Sequence, residues 1–250
     1  MPVICKLVRS IHVVAKTNQG DVMQRIGCVR AVLTGQAVNY TRPGTRSAIA
    51  KTAVLSPVRV EASGLQGDEQ GDLRVHGGPD KAVHCYPWAH YPYWRAALPG
   101  CPLLDRPGAF GENLSIDLLT EHDVCIGDRW QVGTTAFAIS QGRQPCWKLN
   151  DRFGVLDMAR RVQESLRAGW YLRVLDPGVV QAGDAIVLLE RPSPDWTIAR
   201  LLALIRDRTT DLSQLTEVLA LPLPDSWQRL FQTRLTSGAA ESWSKRLEGQ

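Results

Sequence analysis

The hydrophobic pattern of this chain changes its period once, at Arg191-Pro-Ser-Pro194, and that change constrains the architecture more than any other feature. Before this point, short apolar runs alternate with Gly, Pro and Asp, which is the pattern of strands joined by turns. After it, apolar residues recur every three or four positions, which is the pattern of amphipathic helices. The chain is therefore predicted to contain a strand-rich unit followed by a helical unit.

The strand-rich unit is predicted to cover residues 29–191 and to form a β-barrel-like α+β domain, because many short strands accompany helices at 87–97 and 155–166. Residues 1–28 have no clear period and are predicted to be an N-terminal extension. The predicted strands are 29–34, 48–54, 58–62, 110–116, 123–126, 129–132, 135–140, 171–175 and 185–189.

The helical unit is predicted to cover residues 192–250. Its apolar stripes indicate three helices, at about 198–205, 212–219 and 227–235, separated by turn and proline residues. Three short helices bury little apolar surface among themselves, so we expect them to pack on the barrel or on a partner.

Composition excludes several classes of protein. Lys and Arg number 29 against 25 Asp and Glu, and a charge of +4 is too small to indicate a dedicated nucleic-acid-binding face. No apolar run is long enough for a membrane helix, and no secretory signal is recognisable. The six cysteines are irregularly spaced without a C-x-x-C pair, which predicts free thiols in a cytoplasmic protein rather than a zinc ribbon.

The glycine-rich segment 64–81 is the first of two segments with residues suited to ligand binding. Its glycines allow close approach of the backbone to a ligand, and His76 and Lys81 could donate hydrogen bonds to anionic oxygens. An ordinary surface turn would have the same composition. The spacing of His76, His84 and His90 is not that of a helical metal pair, which disfavours a three-histidine metal centre.

The second segment, 140–148, follows a predicted strand directly. Cys146 lies between Arg143 and Lys148 near a predicted helical turn, and cationic neighbours favour a thiolate. A thiolate here could be a nucleophile or a metal ligand, and the alternative is a buried, inert cysteine. The sequence contains none of the common motifs for nucleotide binding, a catalytic serine or a zinc protease.

Five motifs follow one another along the strand-rich unit. They are Ser47-Ala-Ile-Ala-Lys51, Leu65-Gln-Gly-Asp-Glu-Gln70, Val75-His-Gly-Gly-Pro-Asp-Lys-Ala82, Phe110-Gly-Glu-Asn-Leu114 and Ser140-Gln-x-Arg-x-Pro-Cys-x-Lys-Leu149. Together they resemble the motifs of MOSC-domain proteins, specifically those of the YiiM-like branch. Ser226-Trp227 and Arg234-Leu-Thr-Ser-Gly238 resemble the small three-helix domain of that branch. One departure is Gly142, where the family usually has proline.

The resemblance implies a barrel that binds a molybdenum cofactor of the molybdopterin type, with Cys146 as the thiolate ligand to the metal. It also implies reduction of N-hydroxylated compounds, such as hydroxylaminopurines, to amines. His84 and Glu112 lie beside the motifs and are the candidate proton donors. The residues expected to bind the cofactor are Lys51, Gly67, Asp68, His76, Gly77, Lys81, Asn113 and Arg143.

The reduction needs two electrons, and this sequence has neither a Rossmann glycine pattern nor closely spaced cysteines. We therefore expect a separate flavoprotein or iron–sulfur reductase to be the electron donor, and we expect no nucleic-acid or membrane partner. Two other functions are compatible with the motifs. One is a sulfur carrier in which Cys146 holds a persulfide for metal–sulfur assembly, and the other is a binding module without catalysis.

Overall fold

The computed structural model describes residues 15–16, 22–71 and 77–249. The strands are β1 (Ala15–Lys16), β2 (Val22–Thr34), β3 (Val38–Asn39), β4 (Arg46–Ser47), β5 (Thr52–Val54), β6 (Val58–Glu61), β7 (Gly64–Leu65), β8 (Val83–Pro87), β9 (Leu114–Asp117), β10 (Arg129–Val132), β11 (Thr135–Gly142), β12 (Trp170–Asp176), β13 (Gly178–Val180) and β14 (Ala185–Glu190). Short 3₁₀ turns occur at Pro79–Lys81, Trp88–His90 and Pro102–Asp105.

Seven of the described strands close into a barrel, in the order β2–β14–β10–β11–β12–β8–β9 and back to β2. Neighbouring strands are antiparallel except β8 and β9, which are parallel. Closure removes the exposed sheet edges that would otherwise pair with other chains. The barrel and its helices confirm the predicted α+β class.

The long strand β2 closes the barrel because it changes partner along its length. Its first part pairs with β14 and the following part, Cys28–Val32, pairs with β9. A register shift between Val29 and Ala31 bends the strand at this point. A side chain at position 27 would approach the carbonyl oxygen of Asp117 to 2.9 Å, so Gly27 allows β9 to lie close to β2.

The structure differs from the sequence prediction at several places. Residues 22–28, predicted to be part of an extension, form the start of β2. Of the predicted strand 48–54, only Thr52–Val54 is extended. The predicted strand 123–126 is a turn with a single isolated bridge to the segment before the C-terminal helices. Strand formation depends on a pairing partner, which local composition does not specify.

The helices are α1 (Tyr91–Ala97), α2 (Lys148–Phe153), α3 (Met158–Ser165), α4 (Ile198–Arg206), α5 (Leu212–Leu219), α6 (Asp225–Ser237) and α7 (Ser244–Leu247). The three helices predicted from the apolar stripes correspond to α4, α5 and α6. The Thr197 hydroxyl accepts the Arg200 N–H at 3.1 Å and caps α4, and Asp211 caps α5 in the same way. Among the described residues, no helix has the length and apolarity to cross a bilayer.

Helix α4 packs directly on the barrel strand β11. A side chain at Gly142 would come within 2.8 Å of the Leu202 side chain and within 3.3 Å of the Ile198 side chain. The absence of a side chain at Gly142 therefore lets α4 lie close to the end of β11. The helical unit thus rests against the segment that leads into the Cys146 loop.

Candidate active site

A cleft of about 590 Å³, including its open mouth, lies where all five sequence motifs meet. Each motif contributes lining residues, and strands β8 and β12 add His84 and Tyr171. Motifs that are far apart in the sequence therefore line one continuous cleft once the barrel has closed.

The structure brings most of the predicted site residues together at this cleft. Gly67, Gly77 and Glu112 are not part of its lining. His76 lies outside the described residues, so the roles suggested for it and for the two glycines stay predictions. The predicted residues that line the cleft are Lys51, Asp68, Lys81, His84, Asn113, Arg143 and Cys146.

Cys146 lies in the loop that leaves β11 and enters α2, and its side chain is half-buried. The loop begins at Arg143, whose N–H donates to the carbonyl oxygen of Gly169 at 2.9 Å. It ends as α2 starts, where the Leu149 N–H donates to the Cys146 carbonyl oxygen at 3.0 Å. The ammonium of Lys81 interacts electrostatically with Cys146, so a cation lies near the thiol.

The guanidinium of Arg143 has a buried donor that no protein group satisfies. The side chain is only 5% exposed, and Nη1 has no hydrogen-bond partner in the described part of the chain. Burial raises the pKa of the Tyr171 hydroxyl, and the same guanidinium opposes that shift by donating a hydrogen bond to the Tyr171 oxygen. Because a buried unsatisfied donor is costly, an anionic ligand in the cleft would gain a strong partner at this atom.

Lys51 forms a buried ion pair with Asp68. Burial lowers the pKa of Lys51, and the negative charge of Asp68 opposes that shift. Asp68 also accepts the Gly35 N–H and the side-chain amide of Asn113, each at 2.8 Å. The Asn113 side-chain oxygen in turn accepts the His84 N–H at 3.1 Å. Lys51 and Asn113 are thus tied into the wall of the cleft by other protein groups.

His84 is buried in the wall between β8 and β12. Burial first, and then the positive charge of Arg143, hold the pKa of His84 well below its usual value. The imidazole is therefore neutral at neutral pH. A proton donor must hold its proton at the working pH, so this environment disfavours the acid role predicted for His84.

Glu112 is fully buried and its carboxylate organises the neighbouring turn. It accepts the Tyr91 hydroxyl at 2.5 Å and the N–H groups of Gly108 and Phe110 at 2.7 and 3.1 Å. These three donors bind both carboxylate oxygens, and Glu112 is not part of the cleft lining. The structure therefore does not place Glu112 where it could give a proton to a substrate. The same turn explains why the strand predicted at 110–116 begins only at Leu114.

Tyr171 is a lining residue that the sequence interpretation missed. It is paired with His84 across β12 and β8, and the two rings lie 5.1 Å apart. On β12, Tyr171 lies between Trp170 and Leu172, both fully buried. Strand alternation places it on the opposite face from these two, and that alternation was the available signal.

Comparison with protein families finds two matching descriptions. Residues 72–187 match the MOSC domain, and residues 196–238 match the YiiM-like, 3-alpha helix domain. The first match covers most of the barrel, and the second covers α4, α5 and α6.

Individual proteins match along most of the chain. Protein YiiM of Escherichia coli is 40% identical over 220 residues, which cover 88% of this chain and 97% of that protein. A Gibberella moniliformis protein named "Reductase" is 41% identical over 76% of this chain and 34% of its own length.

Solved structures agree with the sequence comparison. The crystal structure of YiiM from Escherichia coli superposes with a TM-score of 0.74 at 34% identity, covering 88% of this chain and 98% of that one. The crystal structure of YiiM from Geobacillus stearothermophilus gives a TM-score of 0.68 at 32% identity, covering 85% and 99% of the two chains. With both domain matches, both structures and the shared cleft motifs in agreement, this chain belongs to the YiiM-like family of MOSC-domain proteins.

Proposed function

We propose that this chain is an oxidoreductase that uses a molybdenum cofactor of the molybdopterin type to reduce N-hydroxylated compounds, such as hydroxylaminopurines, to amines. The observation that carries the proposal is that Cys146 and Arg143 line one cleft, and that the buried Nη1 of Arg143 has no hydrogen-bond partner among the described residues. Membership of the family and the fungal relative named as a reductase support the oxidoreductase class.

The donor groups of the cleft fit such a cofactor. In the part of the chain that the structure describes, no cluster of three or more His, Cys, Asp or Glu side chains could hold a metal unaided. A metal at Cys146 would therefore arrive with ligands of its own, and a thiolate suits a centre already bound to sulfur. Arg143 and Lys81 would bind the anionic phosphate of the cofactor through charge-assisted hydrogen bonds.

The proposed reaction is R–NH–OH + 2e⁻ + 2H⁺ → R–NH₂ + H₂O. The N–O bond breaks, the nitrogen is reduced, and the oxygen leaves as water after protonation. When bound, a molybdenum cofactor supplies two-electron redox chemistry.

The two electrons are proposed to come from a separate flavoprotein or iron–sulfur reductase. The sequence has no Rossmann glycine pattern and no closely spaced cysteines that would hold a redox cofactor for electron supply. A chemical reductant such as reduced viologen can replace that partner in an assay of the purified chain.

The decisive experiment measures molybdenum content and N-hydroxyl reduction in protein made by a host that synthesises the cofactor. We expect stoichiometric molybdenum in the wild-type protein and loss of reduction in Cys146→Ser, assayed with reduced viologen. Cys101→Ser is the matched control, because Cys101 is also half-buried but lies outside the cleft lining. We expect that variant to keep nearly full activity.

Full activity in Cys146→Ser would contradict the assignment of the thiol as metal ligand. Wild-type protein that holds labile sulfane sulfur on Cys146 and no molybdenum would instead indicate the sulfur carrier.

A further inference from the structure

Residues 243–249, here termed the C-terminal strap, contact the Cys146 loop on both sides of the thiol. Before Cys146, Arg246 Nη1 donates to the carbonyl oxygen of Pro145 at 2.7 Å. After it, the Trp147 N–H donates to the carbonyl oxygen of Arg246 at 2.8 Å. A single strap residue therefore holds the backbone immediately before and immediately after the cysteine.

The strap is anchored to the helices that follow the loop. The side chain of Leu247 is buried, and its carbonyl oxygen accepts Asn150 Nδ2 from α2 at 2.8 Å. Arg246 Nη2 donates to Gln163 Oε1 of α3 at 2.5 Å. The Arg246 side chain is half-buried and interacts electrostatically with Cys146. The Arg246 side chain is thus held by the Cys146 loop on one side and by α3 on the other.

The strap also joins the Cys146 loop to the helical unit. The Trp243 indole N–H donates to Glu241 Oε1 at 2.8 Å. Glu241 forms an ion pair with Arg234 on α6 at 2.8 Å. A continuous series of contacts therefore runs from α6 through the strap to the backbone around Cys146.

We propose that the C-terminal strap is a positioning element of the cysteine site, and that Arg246 is the residue through which it holds the Cys146 loop in place. The loop has few backbone hydrogen bonds of regular structure between the end of β11 and the start of α2, so its geometry depends on partners from elsewhere in the chain. The positioning of the thiol is inferred from these contacts and does not depend on the proposed reaction. Its consequence for turnover rests on the proposed function.

The test compares Arg246→Met with two other variants by amide hydrogen exchange in cofactor-free, full-length protein. Met keeps the length of the side chain but removes both donated hydrogen bonds. Losing a charge-assisted hydrogen bond is expected to speed exchange at Trp147 and the adjoining loop amides roughly tenfold. Arg246→Lys retains a cationic donor and should restore part of the protection. Lys245→Ala removes an exposed cation from the same strap and should leave exchange unchanged.

A second measurement follows the rate of Cys146 alkylation at one fixed pH, with Cys101 as the internal reference. We expect faster alkylation of Cys146 in Arg246→Lys, which keeps the positive charge near the thiol but cannot make both donated hydrogen bonds, and an unchanged rate at Cys101. In cofactor-loaded protein, kcat should fall while KM stays near the wild-type value, because the thiol is displaced but the substrate contacts remain.

Unchanged loop exchange in Arg246→Met would overturn the proposal. Faster exchange spread equally over the barrel strands would also overturn it, because Arg246 would then act on global stability. Neither measurement in the cofactor-free protein involves substrate or metal, so the proposal can fail or hold independently of the proposed reductase activity.

Discussion

Two buried arginines, one in each part of the molecule, have opposite environments. Arg234 of the helical unit is 1% exposed, and its guanidinium donates to the Glu241 carboxylate at 2.8 and 2.9 Å and to the Leu204 carbonyl oxygen at 2.8 Å. Arg143 of the barrel is 5% exposed, and its Nη1 has no partner among the described residues. Burial of a cation therefore does not by itself indicate its role. The two arginines differ in whether the protein completes their hydrogen bonds and in whether they line the cleft.

The difference has a physical cause. Arg234 donates to the carbonyl oxygens of Leu204 and Ile205 in the last turn of α4, and a cation at a helix C-terminus is favourable. Its contacts are therefore complete within the protein. Burial of the Arg143 cation costs desolvation free energy, and the protein's own hydrogen bonds do not fully offset it. A ligand that accepts from Nη1 would supply the missing hydrogen bond.

The largest effect on stability is expected for Arg234→Met. Removing one member of a buried ion pair leaves the remaining groups unsatisfied, which costs about 3 kcal/mol of unfolding free energy because Glu241 keeps some contact with water. Chemical denaturation measures this loss. Arg160→Ala, which breaks the exposed ion pair with Glu248, is the control and should cost less than about 0.5 kcal/mol. A loss of unfolding free energy below about 1 kcal/mol in Arg234→Met would contradict the structural role assigned to Arg234.

Arg143→Met should separate binding from stability. We expect the cofactor content of the purified protein to fall roughly tenfold or more, because a charge-assisted hydrogen bond to the ligand is lost. The unfolding free energy of the cofactor-free protein should change by less than about 1 kcal/mol, since one donor was unsatisfied already. Metal analysis and denaturation of the same preparations test both statements. A stability loss equal to that of Arg234→Met would make Arg143 a structural residue instead.

The smallest effect concerns acid sensitivity at Glu241. Partial burial opposes the shift, but hydrogen bonds from Arg234 and Trp243 lower the pKa of Glu241 to about 2. A carboxyl with a lower pKa in the folded state stabilises above its unfolded value of 4.5, and that contribution is lost as the pH falls towards 2. Solvent screening limits it to about 1 kcal/mol.

Glu241→Gln should therefore flatten the decline in stability between pH 4.5 and pH 2, as measured by urea denaturation at several pH values. An equally steep decline in the variant would show that other carboxyl groups dominate in this range.

The helical unit was predictable because its signals are local. The spacing of residues such as Ile198, Leu201 and Leu202 predicts the apolar face of α4, and the structure adds Thr197 and Asp211 as the caps of α4 and α5. The structure changes these boundaries by only a residue or two. What periodicity could not show is the packing of α4 on Gly142, because that contact joins segments far apart in the sequence.

The site was predictable as a set of motifs but not as a set of roles. The motifs correctly pointed to Cys146 and Arg143 at one cleft, yet they gave Glu112 a catalytic role that its buried hydrogen bonds assign to a turn. Burial and the charge of Arg143 keep the imidazole of His84 neutral. Both effects depend on the tertiary structure, so the local sequence around His84 does not predict them. No local sequence pattern around Arg246 predicts its hydrogen bond to Pro145, because the two residues meet only in the folded chain.

The sequence by itself determined the change from strands to helices at residues 191–194, the apolar faces of the C-terminal helices and the family motifs that contain Cys146. Only the tertiary structure decided how β2 divides its length between β14 and β9, which donors remain unsatisfied, and how residues 243–249 reach the Cys146 loop. The reason is physical: helix periodicity and capping depend on residues a few positions apart, whereas strand pairing, desolvation and hydrogen-bond completion depend on groups that meet only when the chain has folded.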